Sequence, residues 1–268
     1  MLTGKTRLYA IIGDPIEHVR TPMAFNAWFE KAKVDAVCLP IHIGRDDLPR
    51  GWAGLRSILN LDGFIVTAPH KQESKVLCDA VEGDGVHTGV VNTIRREQDG
   101  RFVGTLLDGR GFVRGLQKEG YTVEGKRFFL AGAGGAGTAL SYALAGSGAA
   151  GLTIHNRTRA KAEALVAGVK KAFPACEVRL GTRDAAGHDV AVNATSLGLK
   201  ADDGHSFDLD SVDTAALVAE VVMMPDMTPL LIAAKARGHR IHFGIHMLNS
   251  QLELMFQFLG LKPREERT

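Results

Sequence analysis

Glycines at 132, 134 and 137 follow the apolar run Phe128-Phe129-Leu130-Ala131, and a segment rich in Ala and Leu comes after them. This G-x-G-x-x-G spacing suits a strand, a tight turn and a helix that together accept a pyrophosphate. Gly132 makes the turn, Gly134 lets phosphates approach the backbone, and Gly137 lets helix and strand pack closely. The helix N-terminus adds unpaired N–H groups and the positive end of its dipole. Glycine-rich helix entries that bind nothing share the spacing, so the residues that follow decide its meaning. Leu152-Thr153-Ile154-His155 reads as the next strand and ends in Asn156-Arg157-Thr158, with Arg159 and Lys161 beyond. NAD is usually held here by a carboxylate on its ribose. None stands at this place, and guanidinium and ammonium groups suit a 2′-phosphate. The residues favour NADP over NAD; the alternative is a solvated basic helix start.

Strand and helix patterns alternate along the chain, which predicts α/β architecture with parallel sheet. Residues 8–12, 36–41 and 63–66 read as strands, and 90–94 and 102–106 flank Gln98-Asp99-Gly100 as a hairpin. Thr21 reads as the N-cap of a helix with Pro22 at its first position; Phe25, Trp28, Phe29 and Ala32 give it one apolar face. A helix over 109–118 leads to the nucleotide-binding half, where 190–194, 218–222 and 240–243 supply further strands. The expected organisation is a first domain over 1–105 and a second over 106–243. A last helix carries the apolar stripe Leu248, Leu252, Met255, Phe256 and Leu259, and the segment 247–268 is expected to return to the first domain. The cleft between domains is the expected ligand site.

Composition sets the outer bounds. With 268 residues, 45% of them hydrophobic, the chain can bury a sizeable core. A net charge of +2 makes no electrostatic case for nucleic acid or a membrane surface. Cys38, Cys78 and Cys176 lie far apart, with neither a disulfide framework nor metal-ligand spacing. No apolar run reaches transmembrane length. A cytoplasmic protein, monomer or homodimer, binding a small molecule and no metal, is the expectation.

In chain order, Ile12-Gly13-Asp14-Pro15-Ile16, Val66-Thr67-Ala68-Pro69-His70-Lys71, Val91-Asn92-Thr93, Asp108-Gly109, the glycine turn, Asn156-Arg157-Thr158, Asn193-Ala194-Thr195-Ser196-Leu197-Gly198, Pro225-Asp226-Met227-Thr228-Pro229 and Met247-Leu248-Asn249-Ser250-Gln251 resemble the shikimate dehydrogenase family. The resemblance covers nearly the whole chain. It implies an N-terminal α/β substrate-binding domain, a Rossmann-type NADP-binding domain and a cleft between them. The implied reaction is NADP-dependent interconversion of 3-dehydroshikimate and shikimate.

Lys71 and Asp108 match the family's catalytic pair. Hydride transfer to a ketone needs a proton donor for the developing alkoxide, and the reverse needs a base. An ammonium can serve, with the carboxylate holding it and accepting from the substrate hydroxyl. The plainer readings are a surface lysine and, for Asp108, the N-cap of helix 109–118. Thr21, Thr67, Asn92 and Gln251 match substrate-binding positions; a polar tie between domains also suits Gln251. Gly132, Ala133, Gly134, Gly135, Ala136, Asn156, Arg157, Thr158, Lys161 and Thr195 match cofactor positions.

Several positions depart from the family. Its S-x-S-P turn, whose serines hold the substrate carboxylate, is Val19-Arg20-Thr21-Pro22 here. Its N-T-D is Leu106-Leu107-Asp108, a tyrosine ahead of Pro225 is Met223, and a glycine before M-L is His246. Each lost hydrogen bond to a charged group costs on the order of 1.5–3 kcal/mol. Arg20 could clamp a carboxylate in place of the serines; His18 and His246 are other candidates. The expected substrate is shikimate, handled poorly, or a relative such as quinate, an aminoshikimate or a less polar ring alcohol. A non-catalytic NADP-responsive binding protein is the alternative of another class, and retention of Lys71 and Asp108 argues against it.

Overall fold

The computed structural model describes residues 2–17 and 19–262. The chain divides into two compact units, Met1–Leu107 with Leu252–Thr268, and Asp108–Gln251.

The first unit runs β1 (Arg7–Gly13), α1 (Thr21–Lys31), β2 (Ala36–His42), α2 (Leu48–Ser57), β3 (Leu61–Val66), α3 (Lys71–Leu77), β4 (Ala80–Glu82), α4 (Gly85–Thr88), β5 (Thr93–Arg96) and β6 (Phe102–Thr105). Its six-stranded sheet has the order β2-β1-β3-β5-β6-β4. β1 is parallel to both neighbours, β5 is antiparallel to β3 and β6, and β4 is parallel to β6. Tyr9, Ala10, Ile11 and Ile12 of β1 are all buried, as a parallel strand covered on both faces requires. Side-chain alternation sorts them into two cores. Ala10 and Ile12 join Leu48, Trp52 and Leu55 of α2. Tyr9 and Ile11 join Phe25 and Phe29 of α1, together with Met255, Phe256 and Leu259 near the chain's end.

Thr21 does not cap α1. It is the first helical residue, and Arg20 occupies the cap position with no side-chain hydrogen bond. Arg20 has φ −107° and ψ −6°, a turn conformation and not the extended one from which a hydroxyl reaches back to the first-turn N–H groups. The strand expected at 90–94 begins instead at Thr93, the Val91 N–H being taken by the carbonyl of Lys71 at 3.0 Å. Gly100, at φ 86°, closes the β5–β6 hairpin.

The second unit runs α5 (Asp108–Lys118), β7 (Arg127–Ala131), α6 (Gly135–Gly146), β8 (Gly151–His155), α7 (Arg159–Ala172), β9 (Glu177–Leu180), β10 (Val190–Asn193), β11 (Leu217–Glu220), α8 (Pro229–Ala236), β12 (Arg240–His242) and α9 (Gly244–Phe258), whose residues from Leu252 onward belong to the first unit. The six strands are parallel in the order β12-β11-β10-β7-β8-β9. The order reverses between β7 and β10, and doubly wound sheets bind ligands beyond the carboxyl ends of the strands at such a switch point. Asp108 is the first residue of α5 and lies inside the helix, not ahead of it. A Cβ at Gly109 would collide with the Ala139 carbonyl of α6, and one at Gly111 would stand 2.9 Å from the Met247 carbonyl of α9. These two glycines let α5 lie close to both helices. No helix among the described residues is long and apolar enough to cross a membrane.

Candidate active site

In the second unit, each glycine of the turn has its own geometric reason. Gly132 has φ 120°, and a Cβ on it would stand 2.6 Å from the Ala194 carbonyl oxygen. A Cβ on Gly137 would run into the Gly132 carbonyl. At Gly134 and Gly135 a Cβ would meet nothing within 4 Å. The turn is therefore tight against the protein on one side and open on the other, beside the N-terminus of α6. That combination suits an approaching pyrophosphate.

Asn156, just beyond β8, braces this turn. Its Oδ1 accepts from the Ala133 N–H at 3.1 Å, and its Nδ2 donates to the Thr158 carbonyl at 2.9 Å. Both ends of the amide thus shape the site, and the Ala133 N–H is spent on it. Arg157, Thr158 and Lys161 are exposed. No acidic residue occupies the first turn of α7. A ribose 2′-phosphate fits this donor set, and a bare 2′-hydroxyl has no carboxylate to bind.

The loops after β10 and β11 are joined by Glu220, which is 0% exposed. Its carboxylate accepts from Asn193 Nδ2 at 2.9 and 3.0 Å, Val221 N at 2.9 Å, Val222 N at 3.0 Å and Thr228 Oγ1 at 3.0 Å. Burial pushes this carboxyl up from its ordinary value, and the hydrogen bonds oppose the rise. Every partner is a donor, a set that satisfies both carboxylate oxygens without a cation. Thr195 belongs to the same network: its hydroxyl donates to Asn193 Oδ1 at 2.7 Å and accepts from Leu197 N at 3.1 Å. The hydroxyl of Thr195 thus holds the loop. Sequence reasoning overlooked Glu220, although an acidic residue ending an apolar strand was a visible signal.

Asp108 and Gln251 meet within the second unit: Gln251 Nε2 donates to Asp108 Oδ1 at 2.6 Å. Gln251 is 5% exposed. Its expected role was to bind substrate, and the structure gives its amide a hold on Asp108. The close packing of Gly111 against Gln251 Cα makes that approach possible.

In the first unit, β1 and β3 deliver the loops that carry the remaining candidates. Asp14 N donates to the Ala68 carbonyl at 3.1 Å, and a Cβ on Gly13 would collide with the Thr67 methyl. Lys71 opens α3 and is half-buried. Its neighbour His70, 1% exposed, contacts the Ile43 carbonyl through Nε2 at 2.7 Å, so that nitrogen carries the proton and donates. The backbone bond from Val91 N to Lys71 O brings Asn92 beside the start of α3. Asn92 is 2% exposed, and its Oδ1 accepts from Thr93 Oγ1 at 3.0 Å and Leu107 N at 3.1 Å. The Asn92 carbonyl oxygen thus ties Thr93, at the start of β5, to the Leu107 backbone.

Residues 11–94 match the family model described as the shikimate dehydrogenase substrate binding domain. Residues 115–199 match the model described as shikimate / quinate 5-dehydrogenase. A shikimate dehydrogenase (NADP(+)) of Lysinibacillus sphaericus is 36% identical over 260 residues, covering 95% of this chain and 93% of its own. The chain belongs to the shikimate dehydrogenase family. Solved structures of the family's fold agree. A shikimate 5-dehydrogenase from Listeria monocytogenes, in complex with shikimate and NAD, superposes with a TM-score of 0.91 at 29% identity, over 98% of this chain and 95% of that one. A 5-ketofructose reductase of a Gluconobacter strain superposes with a TM-score of 0.89 at 28% identity, over 98% and 96%. The same fold is thus found in a shikimate 5-dehydrogenase and in a 5-ketofructose reductase.

The positions that depart from the shikimate dehydrogenase pattern fall into distinct settings. Leu106 and Leu107 are 1% and 3% exposed, and Leu107 packs among Ile11, Phe25 and Met255. Their hydrocarbon is committed to the core of the first unit. Val19 packs against the same cluster, while Arg20 is exposed. His246 lies 3.2 Å from Glu119 Oε1, its ring centroid 4.8 Å from that of His242. Both of these neighbours lie in the second unit. His18 lies outside the described residues.

Proposed function

We propose that this chain is an NADP-dependent dehydrogenase acting on a CH–OH group of a small ring or polyhydroxy substrate, with Lys71 and Asp108 as its proton-handling residues. The observation that carries the cofactor reading is the open glycine turn beside a strand that ends in Asn156-Arg157-Thr158 with no carboxylate. Gly134, Gly135 and the N-terminus of α6 hold the pyrophosphate; Arg157, Thr158 and Lys161 hold the 2′-phosphate. Bound nicotinamide supplies the hydride to a ketone or takes it from an alcohol.

The side chains do the rest. The Lys71 ammonium donates a proton to the oxygen that becomes an alkoxide, and the amine takes it back in the reverse direction. Asp108 accepts a hydrogen bond from the substrate hydroxyl. Gln251 donates to Asp108 Oδ1 and so fixes the direction of the carboxylate. Asn92 donates to a substrate oxygen, and Thr67 and Thr21 offer hydroxyls.

The cofactor assignment is tested by calorimetry. Arg157→Ala is expected to weaken NADP⁺ on the order of tenfold or more, the value of a charge-assisted hydrogen bond, with NAD⁺ little changed. An unmutated protein that binds NAD⁺ as tightly as NADP⁺ defeats the assignment.

A second reading concerns the substrate. Val19 and Met223 leave a carboxylate fewer partners, which favours quinate-like, aminoshikimate-like or less polar alcohols, or a neutral polyhydroxy ketone. A cofactor-reduction assay over shikimate, quinate and cyclic or sugar alcohols separates these. Val19→Ser with Met223→Tyr should raise kcat/KM for shikimate, each regained hydrogen bond contributing about 1 kcal/mol, or about fivefold. Both substitutions are read on the same substrate, so strict additivity is not expected. Leu107 is left alone in this experiment because it belongs to the core. Shikimate turnover already high in the unmutated protein, and unmoved by the double substitution, would show that the carboxylate has an adequate anchor.

A further inference from the structure

A cavity of about 490 Å³ opens at the carboxyl ends of β8 and β9, inside the second unit. Asn156, Arg159, Gly181, Thr182 and Arg183 are among the residues that line it, whereas Arg157 and Lys161 are not. We propose that Arg183, together with Arg159, selects the cofactor by contacting its adenosine 2′-phosphate from this cavity. The inference rests on the NADP reading and adds residues that the Asn156-Arg157-Thr158 segment does not include.

Two guanidinium groups line one small volume, and guanidinium is the side chain best matched to a phosphate by bidentate hydrogen bonding. Arg183 is already held on one side: Nη2 donates to the His205 carbonyl at 2.9 Å, and its own carbonyl accepts from Asp208 N at 2.9 Å. A side chain anchored in this way loses less freedom when it takes a ligand. Arg159 pairs with Glu163 at 2.8 Å across one helical turn, an exposed contact that a phosphate can displace at little cost. The cavity also holds two carboxylates, Asp184 and Asp208. Each is occupied by its own turn, Asp184 Oδ1 accepting from Ala186 N at 2.9 Å and Asp208 Oδ1 from Asp210 N at 3.1 Å. His155, which ends β8, is held below its ordinary pKa mainly by burial and to a lesser degree by the charge of Arg183. Arg183 thus acts electrostatically at the strand end where the ribose is expected.

The test is calorimetry on the full chain with NADP⁺, NAD⁺, adenosine 2′,5′-bisphosphate and 5′-AMP. Arg183→Gln should weaken NADP⁺ and the bisphosphate about 10–100-fold and leave NAD⁺ and 5′-AMP within about twofold. It should also flatten the salt dependence of NADP⁺ binding. Arg183 is exposed, so the substitution leaves the core intact, and Arg183→Lys, which keeps the charge, should lose less. Unchanged NADP⁺ affinity in Arg183→Gln overturns the proposal. So does an equal loss for NAD⁺ and NADP⁺, which would make Arg183 an adenine-stacking or purely structural residue. If the unmutated protein shows no preference for NADP⁺, the NADP reading fails and this inference with it. A clear preference that survives in Arg183→Gln refutes only the role of Arg183.

Discussion

Lys71→Ala is expected to lower turnover of the best substrate about 10²–10⁴-fold, the usual cost of removing a general acid–base. The ammonium acts on the substrate oxygen as charge develops there, an interaction stronger in the transition state than in the ground state, so the loss should fall on kcat. NADP⁺ binding should be unchanged. The glycine turn and the residues around Asn156 all lie in the Asp108–Gln251 unit, whereas Lys71 opens α3 in the other unit. Steady-state kinetics together with a fluorescence titration of the cofactor check both halves. A variant that turns over at close to the normal rate would falsify the proton-transfer role. One that loses the cofactor as well would point to a structural role. Gln251→Ala should act in the same direction with a smaller effect, since it removes the 2.6 Å hydrogen bond that aims Asp108 and leaves the carboxylate itself in place.

The second large effect concerns stability and pH. His242, at the end of β12, is 1% exposed, and neither ring nitrogen has a hydrogen-bond partner among the described residues. Phe112, Tyr121 and His246 present their rings to it at 5.7, 6.4 and 4.8 Å. Burial, with a smaller contribution from the charge of His246, pushes its pKa down from 6.5 to about 4. The folded state therefore resists a proton that the unfolded chain accepts. The stability contributed by neutral His242 is fully present above pH 6.5 and is lost as pH falls from 6.5 through about 4. A shift of this size corresponds to about 3 kcal/mol once protonation is complete.

Among the described residues, the titratable and charged groups near His242 include His246, Glu119 beside His246, and Arg240 over the Tyr121 ring. Glu119 is half exposed and closest to His246, which limits how far it can favour a charged His242. Denaturant melts of the unmutated chain and His242→Phe should agree in slope at neutral pH and diverge below 6.5, the variant losing less stability. At neutral pH the variant should be at least as stable, because it removes two unpaired buried nitrogens. Parallel loss in the two proteins between pH 6.5 and 4 would show that His242 does not carry the acid sensitivity.

How much was legible depended on whether the signal was local. β1, β3, β7 and β8 are mostly apolar and lead into glycine or turn residues, and such strands can be read from the chain. β4 and β9 were missed: Ala80-Val81-Glu82 and Glu177-Val178-Arg179-Leu180 are short and half polar. They sit at sheet edges and become strands only because an interior neighbour offers a ladder, β6 for one and β8 for the other. Thr21 was misplaced as a cap because residue type alone suggests a capping hydroxyl, while the backbone angles of Arg20 decide whether one can reach.

The sequence by itself determined the family and the glycine turn with its basic strand end. Each of these depends on residue type at short spacing, and a turn, a strand or a helix start forms from neighbours in the chain. Only the tertiary structure decided that Gln251 grips Asp108, that Asn156 spends both ends of its amide on the glycine turn, and that Leu107 is core. It also decided that Glu220 fastens two loops and that Arg183 shares a cavity with Arg159. These relations join residues brought together by packing: Gln251 reaches Asp108 because glycines let α5 approach α9, and Arg183 reaches the strand end because β9 pairs with β8. Hydrogen bonds and burial are properties of that packing, and no local spacing encodes which donor will find which acceptor.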